Sequence, residues 1–428
     1  MIKILFVVPY MFIPANSGNK NLTYNLLKYI SIHTECDLVL LAEKGIDKEK
    51  IIDTIRYEFP QMKEIAVFEK IKGLLLISKM FNMVFRGYHH ALARYSSKKL
   101  SSWLFKRVQN NTYDIVHFDM IHTAIYREFC QKVPTILVAS DAYSMAAKNA
   151  ALISTSVKSK TRGLIESFLL KNFEKAIYPN FNEVCTVSPS DTEYLSKISP
   201  ASLVTTIGIA VSPEYINQGM NYSNCFYEKR ILCVGNLDHK AIAEDIIYFL
   251  QNNLTMIREV YPGVAITILG KNPTNRLRRA MDEVIDLEHI DYVENYADFL
   301  NQNWIYVYPQ RCGTGLQTKV QQAMAIGLPI VGYNISFTGL LVEDEKHCLI
   351  CKNRDQMTNS VIKFLKDENL CREVGLSAAQ NIKEKYSIDK IGRNMLEKYK
   401  YIITKHPLCQ DTCPLSNLSI QTKAGGGK

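Results

Sequence analysis

Long apolar runs are missing from this 428-residue chain. No uninterrupted apolar stretch reaches the roughly 18 residues that a membrane-spanning helix needs. The opening "MIKILFVVPY" is too short, and too soon followed by turn residues, to predict a signal peptide. With 47% hydrophobic and 22% charged residues, the composition is typical of a soluble globular protein, and the length favours two domains.

Several functional signatures are missing as well. No glycine-rich turn has the G-x-G-x-x-G spacing, which argues against a dinucleotide-dependent dehydrogenase. No helix-turn-helix, zinc-finger or RNA-recognition pattern is present, so we expect no nucleic-acid partner. The cysteines are mostly scattered through apolar segments such as "ILCVG", which predicts reduced thiols of a cytoplasm and no structural metal.

The charge that is present is unevenly distributed. Residues 61–110 contain ten Lys or Arg and two Glu, in a chain whose net charge is +9. The stretch also holds "LLLISKMFNMVF" and Trp103. Basic residues interleaved with apolar ones suit an anionic membrane surface, so we predict such a surface for residues 63–107. A solvated helical face over a core is the alternative interpretation.

The most informative stretch runs from Trp304 to Tyr333. "WIYVYP" predicts a buried strand, and "IVGY" predicts another after Gly327 and Pro329. Between them, apolar residues at helical spacing predict one buried helix face, namely Leu316, Val320, Ala323 and Met324. The unit is therefore strand, glycine-containing loop, helix and strand.

The start of this predicted helix has the features of an anion site. Free backbone N–H groups and the helix dipole favour negative charge there. Gly313 and Gly315 allow close approach to the backbone, and Lys319 adds a full positive charge. We predict that a phosphate group binds here. An ordinary tight turn before a helix is the alternative.

The same strand–helix alternation fills the rest of the chain. Strands are predicted at "IKILFVVPY", "CDLVLLA", "YDIVHFD", "PTILVAS" and "EVCTVS", and the pattern begins again at "KRILCVGN". Alternating strands and helices imply parallel sheets, whose ligands bind beyond the carboxyl ends of the strands. We predict an α/β fold with two Rossmann-like domains facing across a cleft, at residues 1–215 and 216–390. Residues 391–406 are predicted to form a helix packing back on the first domain, and residues 407–428 a disordered tail.

Several segments together resemble a known enzyme family. These are "PYMFIPANSGNKNLTYNLLKYI", "YDIVHFDMIHTAIY", "FEKAIYPNFNEVCTVSPSDTEYL", "ILCVGNLDHKAIAEDIIYFL" and "YPQRCGTGLQTKVQQAMAIGLPIVGYNISFTGL". Over most of residues 1–390 they resemble retaining glycosyltransferases of family 4, which have the two-domain GT-B fold. The last segment resembles the family's donor-binding signature.

The resemblance implies a set of donor-binding residues. They are Gly18, Asn19, Gly235, Asn236, Gly313, Thr314, Gly315, Leu316, Gln322 and Asp141. The family commonly has glutamates at the positions of Thr314 and Gln322, and the second accepts hydrogen bonds from the ribose. Gln322 can still accept through its carbonyl oxygen, without a charge.

The catalytic residues implied by the resemblance are Lys319 and Lys240. His122 and Asp119 join them because they lie just beyond the carboxyl end of a predicted strand, where a donor sugar would sit. A helix-capping or packing role is the alternative for His122. No two aspartates stand two apart, so the Asp-x-Asp pair of metal-using transferases is missing. Lysines and helix N-termini offer a metal-free means of stabilising a diphosphate leaving group. We expect no cofactor and assign no nucleophile, while Glu343 and Glu345 are interpreted as surface charges.

The function implied is transfer of a hexose-like sugar from a nucleotide-sugar donor to a glycan or lipid-linked acceptor. The setting would be assembly of a cell-surface polysaccharide or glycolipid, in the cytoplasm or on the inner face of the cell membrane. A catalytically weak or inactive nucleotide-sugar-binding subunit is one alternative, suggested by Thr314 and Gln322. A nucleotide-sugar epimerase or a phosphorylase is another.

Overall fold

The computed structural model describes residues 1–15, 17–110, 113–153, 156–220, 229–311 and 316–406. Its first domain contains a seven-stranded parallel sheet. The strands are β1 (Lys3–Val8), β2 (Glu35–Ala42), β3 (Ile65–Glu69), β4 (Ile115–Asp119), β5 (Thr135–Ser140), β6 (Glu183–Thr186) and β7 (Val204–Thr206). They lie side by side in the order β3-β2-β1-β4-β5-β6-β7.

Helices cover both faces of this sheet. They are α1 (Gly18–His33), α2 (Lys48–Glu58), α3 (Leu74–Phe85), α4 (Lys98–Gln109), α5 (Tyr143–Ile153), α6 (Val157–Ile177), α7 (Pro189–Ile198) and α8 (Pro213–Met220). Short 3-10 helices occupy His90–Tyr95, Ile121–Phe129 and Tyr178–Asn180. Because both faces are covered, the central strands read as continuous apolar runs, and every residue of β4 and β5 is buried.

The second domain repeats the arrangement with a six-stranded parallel sheet. Its strands are β8 (Arg230–Val234), β9 (Ala265–Leu269), β10 (Leu287–Ile290), β11 (Ile305–Tyr308), β12 (Ile330–Tyr333) and β13 (Leu349–Cys351), in the order β10-β9-β8-β11-β12-β13. Its helices are α9 (Lys240–Phe249), α10 (Thr255–Val260), α11 (Asn275–Asp282), α12 (Tyr296–Leu300), α13 (Thr318–Ile326), α14 (Arg354–Lys366) and α15 (Glu368–Tyr386). A π-helical turn, Leu250–Leu254, joins α9 to α10. The predicted fold class of two parallel-sheet α/β domains is confirmed.

Each sheet has a point at which the strand order reverses. In the first domain it lies between β1 and β4, and in the second between β8 and β11. Helices that follow such neighbouring strands leave on opposite faces of the sheet, so a crevice opens beyond their carboxyl ends. The segments predicted to bind the donor follow β1, β4, β8 and β11 and therefore border these two crevices.

The donor-signature helix α13 differs slightly from its predicted bounds. It ends as expected, because Gly327 adopts φ 88° and its N–H donates to the carbonyls of Ala323 and Met324. It begins at Thr318, however, with Gln317 as the N-cap residue. Leu316 was predicted on the apolar face of the helix but precedes it, and packs against the apolar cores of both domains.

The last helix, α16 (Ile388–Lys405), returns to the first domain. Met395, Tyr399 and Ile402 are buried in the core formed by β1, β2 and α1. The Tyr399 hydroxyl also lies 2.7 Å from Nδ1 of His117, a buried residue of β4. Residues 407–428, predicted to be a disordered tail, lie outside the described residues.

Candidate active site

Two helix N-termini, one from each domain, face each other between the sheets. A Cβ atom built on Gly18, the first residue of α1, would lie 3.6 Å from Cγ2 of Thr318, the first residue of α13. Neither helix has an acidic residue in its first turn, and neither N-cap side chain bonds to the helix it precedes. Both helices therefore present free N–H groups and the positive ends of their dipoles to this gap, which favours an anion.

A pair of buried amides holds these helices in place. Asn25 of α1 donates from Nδ2 to the carbonyl of Ala210 at 3.0 Å. Gln321 of α13 donates from Nε2 to the carbonyl of Ile209 at 2.9 Å. Both side chains are buried, so without these bonds the acceptor carbonyls would be left unpaired in the interior. Consecutive carbonyls of the segment between the domains thus anchor the two helices that border the gap.

Lys319 lies in the first turn of α13, close to this gap. Its side chain is partly buried, and burial lowers the pKa of its ammonium group below the usual value. Within the described residues no acceptor or carboxylate pairs with it. A partly desolvated cation without a partner, beside two helix N-termini, is well suited to a bound anion.

Lys240 has a different environment. It is the exposed first residue of α9, beyond the end of β8, and follows the buried Gly235 and the exposed Asn236. The first turn of α9 also lacks acidic residues. These residues border the same sheet edge as Lys319, but no described contact joins Lys240 to Lys319.

Gln322 is partly exposed on α13, one residue after the buried Gln321. The other signature residues, Gly313, Thr314 and Gly315, lie outside the described residues. The chain just before them is fixed by Arg311, which donates from its backbone N and its Nε to the buried Asp245 of α9, at 2.9 and 2.7 Å. The Arg311 guanidinium also stacks over Tyr248 at 4.2 Å.

Sequence reasoning did not identify this arrangement. An arginine directly beyond β11 was the available signal, but its carboxylate partner lies 66 positions earlier in the chain.

In the first domain, Asp119 ends β4 at the point where the strand order reverses. It is buried and accepts a hydrogen bond from the Thr23 hydroxyl of α1 at 2.5 Å. Burial raises the pKa of Asp119 to about 7, and the Thr23 bond opposes the rise. The Thr23 hydroxyl also lies 3.1 Å from the carbonyl of Asn19 and 3.3 Å from the Tyr10 hydroxyl. The predicted residues Asp119 and Asn19 are therefore linked through Thr23.

The backbone after β4 and at the end of β5 is strained. Met120 has φ 65° and ψ 152°, and Ser140 has φ 67°, although neither is glycine. The Ser140 hydroxyl lies 3.2 Å from the Met120 sulfur. Such conformations cost on the order of 1–3 kcal/mol each and cluster at functional sites. The strain fixes the direction of the chain from Asp119 toward His122.

His122 packs between two tyrosine rings. Its ring centroid lies 4.3 Å from that of Tyr95 and 5.7 Å from that of Tyr143. Its Nδ1 atom is buried without a hydrogen-bond partner among the described residues. Burial, assisted by the nearby charge of Lys70, lowers the pKa of His122 to about 4. The imidazole is therefore neutral at pH 7.

Asp141 follows β5, and burial and the neighbouring Asp191 raise its pKa to about 6. Tyr143, two residues further on, is partly buried, and desolvation raises its pKa above the usual value. The negative charges of Asp141 and Asp119 add to this rise. The structure thus brings together the predicted residues Asp119, His122 and Asp141 around Tyr143, which sequence reasoning missed.

Other candidates lie elsewhere. Glu343 and Glu345 are exposed and form ion pairs with Lys346 and Lys363. Cys348 and Cys351 have Cys-x-x-Cys spacing, which the sequence interpretation overlooked, and both are buried free thiols. Over the ranges that the structure describes, no group of three or more His, Cys, Asp or Glu side chains could hold a metal ion.

Comparison with known proteins places this geometry in context. Residues 228–367 match the family described as "Glycosyl transferases group 1". The comparison with curated proteins finds no match. The predicted resemblance to glycosyltransferases is therefore confirmed for the second domain, at the level of this group. Family 4 membership and a retaining outcome stay predictions.

Solved structures match nearly the whole chain at low identity. A glycosyltransferase from Rickettsia africae matches with a TM-score of 0.64 and 13% identity, covering 94% of this chain and 98% of its own. The sucrose-phosphate synthase of Thermosynechococcus elongatus matches with a TM-score of 0.61 and 14% identity, covering 94% of this chain and 100% of its own. Anabaena HepE in complex with UDP matches with a TM-score of 0.58 and 12% identity, covering 94% of this chain and 100% of its own. At these identities the likeness shows the fold, which is GT-B.

Proposed function

We propose that this protein transfers a hexose-like sugar from a nucleotide-sugar donor to a glycan or lipid-linked acceptor. The observation that carries the proposal is the gap between Gly18 and Thr318, where two helix N-termini meet beside the unpaired Lys319. The match of residues 228–367 to group 1 glycosyl transferases supports it. HepE, which shares the fold, is seen with UDP, and a nucleoside diphosphate has the charge that this gap favours.

In this proposal the diphosphate lies between α1 and α13, with Lys319 against it. Cleavage of the sugar–phosphate bond leaves negative charge on the departing diphosphate, and fixed cations and helix dipoles stabilise that charge without reorganising. Gln322 accepts from the ribose, and Lys240 approaches the donor from α9. Gly313, Thr314 and Gly315 would contribute backbone N–H groups.

The sugar would lie toward the first domain, against Asp119, His122 and Asp141. A neutral His122 can exchange hydrogen bonds with sugar hydroxyls through a ring nitrogen. We assign no protein nucleophile. The proposed reaction retains the configuration at the anomeric carbon, needs no metal, and has a donor phosphate oxygen accepting the proton of the acceptor hydroxyl.

A panel of nucleotide sugars tests the proposal. We expect one donor to raise the melting temperature, because a ligand that binds only the folded state stabilises it by mass action. That donor should then be hydrolysed or transferred with retained configuration in the presence of EDTA. Binding without any turnover would favour the alternative of a nucleotide-sugar-binding subunit, and no binding across the panel would overturn both.

We also propose that the protein works at the inner face of a membrane, on a polysaccharide or glycolipid precursor. No helix within the described ranges has the length and apolarity to cross a bilayer. Helix α3 instead exposes much of its apolar surface, with Leu74, Phe81 and Phe85 exposed by 85%, 74% and 93%. The protein should sediment with anionic vesicles and be released at about 0.5 M salt, where attraction between exposed charges is strongly screened. Equal recovery with neutral vesicles would rule this out.

A further inference from the structure

A cavity separate from the candidate active site lies in the first domain, beside α3. It measures about 430 Å³ and is bounded by α3, α4, α6 and the 3-10 helix Ile121–Phe129. One part of its lining is apolar and includes Met83, Phe129, Phe173 and Ile177. The other part is basic and includes Lys79, Arg86, Lys98 and Arg127. The cavity is therefore amphipathic, with its two kinds of surface on different residues.

The basic part of the lining is not neutralised. Among the described lining residues the only acidic one is Glu128. Within the described residues the side chains of Lys79, Arg86 and Lys98 form no ion pair, and the Arg86 guanidinium lies over the Tyr88 ring at 5.4 Å. Arg127 donates to the carbonyls of Asn180 and Cys130 and, among the described residues, to no carboxylate, and burial lowers the pKa of its guanidinium. Four cations against one carboxylate favour an anionic ligand.

Other basic residues in the same stretch of sequence behave differently. Lys63 pairs with Glu35, Lys70 and Arg94 pair with Glu43, and Arg107 pairs with Glu64. The unpaired positive charge is therefore concentrated around the cavity and on the exposed face of α4.

Exposed apolar helices adjoin the cavity. Helix α3 contributes Lys79 to the cavity lining and is followed directly by Arg86, while Phe81 and Phe85 of α3 face solvent. Helix α6 meets the end of α3, because Asn172 donates to the Gly87 carbonyl at 3.4 Å, and it exposes Ile165 and Phe168. Apolar surface of this extent on a soluble domain marks an interaction site. Cations close to exposed aromatic and aliphatic side chains match the headgroup and acyl layers of a bilayer.

We propose that this cavity binds the phosphate headgroup of an anionic membrane lipid, while α3 and α6 insert apolar side chains beside it. The proposal rests on the membrane location proposed above and adds a specific lipid subsite to it. A second copy of the chain fits this face less well, since a symmetric contact would bring the same unpaired cations together. The expected ligand is a lipid phosphate, held by Lys79, Lys98 and the two arginines.

Short-chain lipids below their micelle concentration test the subsite on the full chain. Dihexanoyl phosphatidic acid should bind saturably, and more tightly than either inorganic phosphate or dihexanoyl phosphatidylcholine. The paired substitution Lys79→Gln with Lys98→Gln should weaken this binding by about tenfold or more, the size expected for lost charge-assisted hydrogen bonds. Lys99→Gln with Lys106→Gln removes the same charge from exposed, unpaired residues outside the cavity, and should leave the affinity nearly unchanged.

Three results would overturn the subsite: equal losses in the two double variants, which would indicate surface charge alone; equal binding of inorganic phosphate; and equal binding of phosphatidylcholine. Nucleotide-sugar binding, measured on the same variants, keeps this question separate from the proposed activity. A chain that binds phosphatidic acid through Lys79 and Lys98 but no nucleotide sugar would retain the subsite and lose the enzymatic proposal.

Discussion

Gly18 and Thr318 face each other across the two domains, so that a Cβ built on Gly18 would lie 3.6 Å from the Thr318 methyl group. Each is the first residue of a helix that follows the strand at which its sheet reverses order. The backbone at both positions therefore borders the place where a diphosphate would bind, and the size of residue 18 limits that space.

Substitutions at Gly18 should affect donor binding according to the size of the new side chain. Ala at this position makes only an ordinary van der Waals contact, so Gly18→Ala should keep most donor affinity. Gly18→Leu should abolish donor binding, because the atoms beyond its Cβ would meet Thr318 and occupy the gap. Calorimetric titration with the donor found in the panel measures both variants. Full affinity in the Leu variant would place the phosphates elsewhere.

Lys319 is expected to act mainly on turnover. A fixed charge aimed at the developing diphosphate stabilises the transition state more than the ground state. Lys319→Ala should therefore lower kcat by on the order of 10²–10³. Lys319→Arg should recover only part of this, because a planar guanidinium differs in shape from a compact ammonium.

Lys240→Ala provides the comparison for Lys319→Ala, because it removes an equal charge from the exposed first residue of α9. Helix α9 follows β8, the strand beside β11. We expect a smaller loss of kcat there. Near-normal turnover in a folded Lys319→Ala protein would mean that the glycine-containing loop is an ordinary turn.

The sequence predicts much of this architecture because its signals are local. The strand Ile305–Tyr308, the end of α13 at Gly327 and the strand Ile330–Tyr333 follow from apolar runs and one left-handed glycine. The predicted start of α13, at Leu316, lies two residues before the observed start at Thr318. Leu316 is apolar because it packs at the junction between the domains, and not because it belongs to the buried face of the helix. Periodicity cannot distinguish a helix face from an interdomain contact.

Only the part of the site that lies within one continuous sequence motif could be predicted from the sequence. Thr23 and Asp119 are 96 positions apart, and they meet because β4 lies beside β1 in the sheet. Nothing near Thr23 in the sequence indicates that its hydroxyl faces a carboxylate. Likewise, counting charges in residues 61–110 overstated the free positive charge, since pairing with Glu35 and Glu43 depends on the register of β2 and β3.

The adjacent glutamines of α13 should have opposite phenotypes. Gln321 is buried and bonds to the Ile209 carbonyl, so Gln321→Met should cost about 1–3 kcal/mol of stability by leaving that carbonyl unpaired. Gln322 is partly exposed, so Gln322→Ala should leave the melting temperature unchanged and raise KM for the donor. Gln322→Glu should keep or improve activity. If Gln322→Ala leaves nucleotide affinity intact, this residue does not hold the ribose.

Asp119 should make stability depend on pH. Its pKa is raised from the usual 3.8 to about 7, so the folded protein binds a proton at pH values where the unfolded chain has released it. The contribution of the protonated Asp119 to the free energy of unfolding is therefore fully present below about pH 4 and is lost as the pH rises through about 7. Asp119→Asn removes this dependence while its amide oxygen still accepts from Thr23. The variant should gain stability relative to the wild type between about pH 4 and 7, by at most about 4 kcal/mol. Urea unfolding across that range measures the difference, with Asp53→Asn, an exposed position on α2, as the control. A constant difference between Asp119→Asn and the wild type at every pH would show that Asp119 ionises normally in the fold, and would remove the case for a protonated carboxyl group beside the sugar.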